Sequence, residues 1–131
     1  MVKLFFLFSM LFFSFTTIDV EAKKISNKEC VEVSNAINQD GAGIVIDEVT
    51  SLTNTVCVFG DFIYNYSIAE DITPKDFENR IESELKPSAI QSFCTDPSVR
   101  LFLDAVKSVT LKYIRSDGTY LAEYSFNDSD C

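Results

Sequence analysis

The 131-residue sequence contains no histidine. Imidazole is the commonest general base near neutral pH and the commonest metal ligand, so its absence removes the Ser-His-Asp and Cys-His nucleophile arrangements together with most zinc chemistry. Glycine is scarce as well, at four residues, and none lies in a phosphate-cradling loop, a Walker pattern or a calcium-loop spacing. Positive charge is short: 11 Lys and Arg stand against 20 Asp and Glu, for a net charge of −9. Such a surface repels phosphate backbones and anionic lipid, which argues against nucleic acid and leaves basic proteins as the charged partners it would attract. The excess is uneven, since Asp40 to Lys86 holds ten acidic residues against Lys75, Arg80 and Lys86. A solvated face accounts for such a run, and a partner-binding face is the alternative.

A run long enough to span a bilayer is missing too. The longest apolar stretch, Leu4 to Phe15, holds six of the twelve phenylalanines but falls short of the roughly 20 residues a membrane helix needs. Preceded by Lys3 and followed by Val20 and Ala22 at the small-residue positions of a cleavage site, it reads as a secretion signal over residues 1–22, with cleavage between Ala22 and Lys23. Residues 23–131 are then a single small domain with room for one core, exported to a periplasmic or extracellular compartment and without a transmembrane segment. Lys3, Asp19 and Glu21 leave with the signal, so the mature chain is one unit less negative than the precursor.

All four cysteines, Cys30, Cys57, Cys94 and Cys131, follow the signal. No two stand at close ligand spacing, so a zinc site would need four distant thiolates without a histidine. Two disulfides are expected in an exported chain. Three connectivities are open to four cysteines. Cys30 with Cys57 and Cys94 with Cys131 is preferred, because each bridge then stays within one half of the chain and the final residue is tied down.

Ser26 and Glu29 form a capping box, and Cys30, Val33 and Ile37 share one face, which predicts a helix over 26–38 with Gly41 placed to end it. Ile44, Val45, Ile46, Val49 and Leu52 predict one strand and Val56 to Ile68 a second, with the turn near Asn54. Within the second, Phe62, Tyr64, Tyr66 and Ile68 alternate with Ile63, Asn65 and Ser67. Thr73 and Pro74 start a helix that carries Phe77, Ile81 and Leu85 and is expected to stop before Pro87, with Arg80–Glu84 and Glu82–Lys86 as ion pairs. A short piece with Ile90, Phe93 and Cys94 follows, and then a helix begun by Asp96 and Pro97 that buries Val99, Phe102, Leu103 and Val106.

Asp117 and Gly118 mark a final hairpin. A two-residue turn there would oppose Ser116 to Thr119 and pair Tyr113 with Ala122, Leu111 with Tyr124, Val109 with Phe126, Lys112 with Glu123 and Ile114 with Leu121. The element order predicts an α+β domain with an antiparallel sheet of about four strands and helices on one face. Ala22 to Ser26 reads as a linker.

The carboxylate pairs Asp47–Glu48 and Glu70–Asp71 are the remaining material for an enzyme, a carboxylate-dependent hydrolase. Neighbouring acids on a strand point to opposite faces, so neither pair is poised as an acid–base couple, and neither catalytic residues nor a cofactor is expected. Tyr64, Tyr66, Tyr113, Tyr120 and Tyr124 either cover a sheet core or form an amphipathic binding surface. Asn65 to Ser67 and Asn127 to Ser129 match the glycosylation sequon.

Ser92, Phe93 and Cys94, then Pro97, Val99, Arg100 and Leu103, the Asp117–Gly118 hairpin and the terminal Cys131 form a frame. It resembles the beta-type pilotins of bacterial type II secretion systems, small periplasmic proteins that bind the outer-membrane secretin. The strand from Phe62 to Ile68 also looks like the one before the helices in that family. The resemblance implies an antiparallel sheet with helices on one side, a Cys94–Cys131 bridge and a protein partner. Pilotins are usually lipoproteins whose cysteine follows the signal, whereas here Lys23 stands there, so the resemblance implies a partner-binding protein without the lipid anchor. Two functions are therefore expected of the chain. One is a pilotin-like, non-enzymatic binder of a secretion or envelope protein; the alternative is an immunity protein or inhibitor whose acidic face blocks a basic toxin or enzyme.

Overall fold

The computed structural model describes residues 24–41 and 43–131. The expected signal and the Ala22–Lys23 junction lie outside the described residues. In chain order the elements are α1 (Asn27–Gly41), β1 (Thr50–Val58), β2 (Asp61–Ile68), α2 (Pro74–Arg80), a π-helical turn (Ile81–Leu85), α3 (Lys86–Thr95), α4 (Pro97–Ala105), β3 (Ser108–Arg115), β4 (Tyr120–Phe126) and a short 3-10 turn (Asp128–Asp130). The strands form one sheet in the order β1-β2-β3-β4.

The sheet is mixed, which corrects the all-antiparallel expectation. β1–β2 and β3–β4 are antiparallel hairpins, but β2 and β3 run parallel, from Asp61 beside Ser108 to Ile68 beside Arg115. The helical stretch from Pro74 to Ala105 is long enough to carry the chain back to the end of the sheet where β2 began, and a parallel pair requires such a crossover.

Local signals explain most helix ends. Ser26 Oγ accepts from Glu29 N–H while Glu29 Oε1 accepts from Ser26 N–H, so the capping box starts α1. Thr73 Oγ1 accepts from Asp76 N–H, and Asp96 Oδ1 accepts from Ser98 and Val99 N–H. The chain before α1 is no loose linker from Lys24 onward. Lys24 Nζ donates to the carbonyls of Asp104 and Val106, and Ile25 N–H donates to Ala105. The glycine in the left-handed region here is Gly43 (φ +82°), beyond the end of α1 at Gly41.

Pro87 does not stop the helix. Proline lacks an N–H and its ring presses on the carbonyl four residues back. The chain relieves this by widening one turn, in which Lys86 N–H reaches Ile81 O five residues earlier, and then continues as α3. The widened turn also shifts the surface spacing, so Arg80 does not reach Glu84; its Nη1 donates to Glu70 Oε2 at 2.9 Å instead.

The first hairpin turns at Phe59–Gly60, not near Asn54. Leu52 pairs with Tyr66 and Asn54 with Asn65, which leaves Thr53 as an extra residue. That bulge moves the buried phase of β1 from Leu52 to Thr55, and the break in alternation imitates a turn in the sequence. Ile44 to Val49 contributes one isolated bridge, Val45 with Ser51, rather than a strand.

The last hairpin carries two irregularities that cancel. Gly118 N–H bonds to Arg115 O and Arg115 N–H to Thr119 O, with Gly118 at φ +95°. The connection is therefore a three-residue loop with a left-handed glycine, and Ser116 does not face Thr119. A bulge between Tyr113 and Ile114 then sets Ile114 beside Tyr120, so the expected Ile114–Leu121 pair is absent. Beyond the bulge, Tyr113–Ala122, Lys112–Glu123, Leu111–Tyr124 and Val109–Phe126 are in the expected register.

All helices pack on the face that carries Phe62, Tyr64, Ile68, Val109 and Phe126. Phe102 stands edge-on to Phe62 at 4.9 Å, and Phe93 edge-on to Phe126 at 5.2 Å. Cys30–Cys57 joins α1 to β1, and Cys94–Cys131 joins α3 to the C-terminus.

Candidate functional site

Between the α2–α3 stretch and the segment 46–50, packing over the inner face of the sheet is incomplete and leaves a groove of about 580 Å³ above a largely buried floor, where Tyr64, Tyr113 and Tyr124 are 3%, 6% and 7% exposed. Tyrosines dominate its floor, supplied by alternate positions on three neighbouring strands. Tyr64 and Tyr66 come from β2, Tyr113 from β3 and Tyr124 from β4. Their rings lie nearly parallel across the sheet: Tyr66 and Tyr113 are 5.1 Å apart with planes 17° from parallel, and Tyr113 and Tyr124 are 6.2 Å apart at 21°. Ile68, Leu111 and Phe93 fill the spaces between them.

The wall on the helix side owes its position to the π-helical turn. Glu84 and Leu85 from that turn and Ser88, Ala89 and Ser92 from α3 face the groove. Tyr124 Oη donates to Leu85 O at 3.3 Å, which ties floor to wall. Burial pushes the phenols of Tyr64, Tyr66 and Tyr113 well above their ordinary range. They remain neutral at any physiological pH and act as apolar plates with hydroxyl tips.

Charge is confined to the rim, in Asp47, Arg80 and Glu84. Asp47 Oδ1 accepts from the backbone N–H groups of Val49 and Thr50 at 2.9 and 2.8 Å. Partial burial opposes ionisation there, but those two donors and the Arg80 charge outweigh it and hold the carboxyl below its ordinary value. Arg80 is itself engaged by Glu70, so the rim is acidic on balance.

The sequence-predicted groups are distributed unevenly. Four of the five tyrosines meet in the groove. Tyr120 stands elsewhere, 49% exposed, donating to Glu123 Oε1 at 2.9 Å with Lys112 Nζ 6.0 Å from its ring centre. Neither carboxylate pair converges: Asp47 stands on the rim and Glu48 is exposed, Glu70 holds Arg80, and Asp71 lies 3.6 Å from Arg115. The four cysteines serve as two bridges, and among the described residues no group of three or more Cys, Asp or Glu is placed to hold a metal ion. No described helix is long and apolar enough to cross a membrane. Sequence reasoning missed the wall positions Ser88 and Ala89, because the helix there was expected to end before Pro87, and it read Glu84 as an ion-pair partner and Ser92 as part of the pilotin-like frame rather than as groove residues.

No protein-family model and no curated protein sequence matches the chain. Its fold does recur among solved structures. A candidate secreted protein of Pseudomonas aeruginosa superposes at a TM-score of 0.64 over 80% of this chain and 95% of its own, at 13% identity. The type II secretion system pilotin AspS of Vibrio cholerae does so at 0.56 over 78% and 88%, also at 13% identity. EpsS, the pilotin of the Vibrio vulnificus type 2 secretion system, gives 0.57 over 80% and 94%, at 15% identity. At these identities the likeness is one of fold, and it extends over the helices and the sheet rather than the C-terminal frame alone.

Proposed function

We propose that the chain is a non-enzymatic periplasmic binding protein that captures an amphipathic helical segment of a secretion or envelope partner in the tyrosine-floored groove. The observation that carries this reading is the groove. Its floor is a set of stacked, largely buried tyrosine rings and its charged groups stand at the rim, a form into which a helix can lay its apolar face. The pilotin-like fold supports a secretion-related partner. Two disulfides fit a location outside the cytoplasm, and export would follow from residues 1–22 as a signal cleaved before Lys23, leaving 23–131 as the working domain.

Site-specific photocrosslinking in the native envelope tests the reading. A benzoylphenylalanine in place of Ser88, exposed at the groove, is expected to link the protein to an envelope component through an amphipathic segment identifiable by mass spectrometry. The same group in place of Ser125, exposed on β4, is expected to give no such product. Equal products from the two positions, or none from Ser88, would overturn the proposal.

A further inference from the structure

Resting on that reading of the groove, we infer that its occupant is a cationic amphipathic helix, with Lys or Arg residues flanking the apolar stripe and seated against Asp47 and Glu84. The floor alone would accept any apolar stripe of suitable width, because stacked phenol rings carry no net charge. Selection therefore falls to the rim. Asp47, Glu84 and Arg80 are the charged groups that line it, and Arg80 donates to Glu70 at 2.9 Å, so its charge is already engaged. Neither Asp47 nor Glu84 has a Lys or Arg nitrogen within ion-pair distance among the described residues.

Asp47 is fixed in place. Its Oδ1 is anchored by the N–H groups of Val49 and Thr50, so the carboxylate meets an incoming charge without first giving up rotational freedom. Glu84 approaches from the opposite wall, on the π-helical turn. A cation on either flank of a bound helix gains from these groups, whereas an acidic flank meets two like charges. Such juxtaposition discriminates between partners more than it adds to the affinity for the right one.

Two synthetic helical peptides of equal length, with the same Leu stripe and either Lys or Glu on the flanks, serve as probes in fluorescence anisotropy against the full mature chain. The Lys peptide is expected to bind about five-fold or more tighter at low salt, the scale of two exposed charge pairs, and most of that advantage is expected to disappear at high salt. Asp47→Asn with Glu84→Gln keeps the Asp47 turn through the amide oxygen and is expected to bring the two peptides to within two-fold. The matched pair Glu32→Gln with Glu123→Gln, away from the groove, is expected to keep the preference. Equal binding of the two peptides by the unaltered protein overturns the inference and leaves the groove reading intact. So does a Lys preference that survives in the rim variant, because the overall negative charge would then be responsible. Binding of neither peptide overturns the groove reading itself, and the inference with it.

Discussion

Asn38 should contribute more to stability than any other polar side chain on α1, because it completes the outer edge of β1. Its Oδ1 accepts from Thr55 N–H at 2.6 Å and its Nδ2 donates to Thr55 O at 2.9 Å, so one amide side chain pairs with Thr55 as a neighbouring strand would. The first part of the same edge is covered by backbone: Gly43 N–H donates to Leu52 O, and Ile46 N–H to Thr50 O. Thr55 is 2% exposed, and Asn38→Ala leaves its N–H and C=O without partners. Each buried backbone group left unsatisfied costs about 1–3 kcal/mol. Asn38 is half-buried, and water entering the vacated space recovers part of that, so the expected loss is about 2–4 kcal/mol. Urea unfolding at unchanged m-value measures it, and amide exchange at Thr55 should accelerate more than at its strand neighbours. The uncovered edge should also make self-association concentration-dependent in sedimentation. An Asn38→Ala variant within about 0.5 kcal/mol of the parent, with Thr55 N–H still protected, would refute the argument.

Three further perturbations follow from the same structure. Cys94→Ser with Cys131→Ser opens a loop of sequence separation 37 and is expected to cost about 3.8 kcal/mol in the chain-entropy model; a melting temperature unchanged by reduction of this bridge would contradict it. Phe59 sits at φ +49° with 83% of its surface exposed, so Phe59→Asn should stabilise by about 0.5–1 kcal/mol, because asparagine tolerates the left-handed region at little loss of packing; a destabilised variant would mean that the ring holds a contact of its own. Arg115, through its hydrogen bonds to the Asp117 carboxylate, and Thr119 N–H hold that carboxyl far below its ordinary value. A depressed folded-state pKa stabilises above the unfolded value near 4 and loses that effect as pH falls below it, so the parent should lose stability between pH 4 and 2 more steeply than Asp117→Asn, and identical pH profiles would refute the assignment.

Elements announced by their own residues were legible, whereas those set by the rest of the chain were not. The capping residues Ser26, Thr73 and Asp96 act through atoms within three positions of themselves, so their helices could be placed from spacing alone. The hairpin register beyond Tyr113 was legible for a different reason. Burying Val109, Leu111 and Tyr113 together with Tyr124 and Phe126 permits only that alignment, and the one-residue displacement introduced by the Gly118 loop is undone at Leu121. The direction of β3 against β2 was not legible, since parallel and antiparallel strands carry the same alternation when both are covered by helices on one face. What decides it is the length and path of the crossover, and an expected stop before Pro87 divided that crossover into separate pieces.

The same proline explains why the groove was only half visible. The tyrosines of its floor stood out as a set, because alternation on β2 places Tyr64 and Tyr66 on one face and the hairpin register brings Tyr113 and Tyr124 alongside them. Nothing in their spacing distinguishes a covered sheet from an open one; that depends on how closely the helices approach. The π-helical turn determines this, since by absorbing Pro87 it lets α2 and α3 run on as one rod past Tyr124, with Leu85 O in reach of the phenol. Pro87 itself does not line the groove, and of the acidic residues just before it Glu84 stands on the rim.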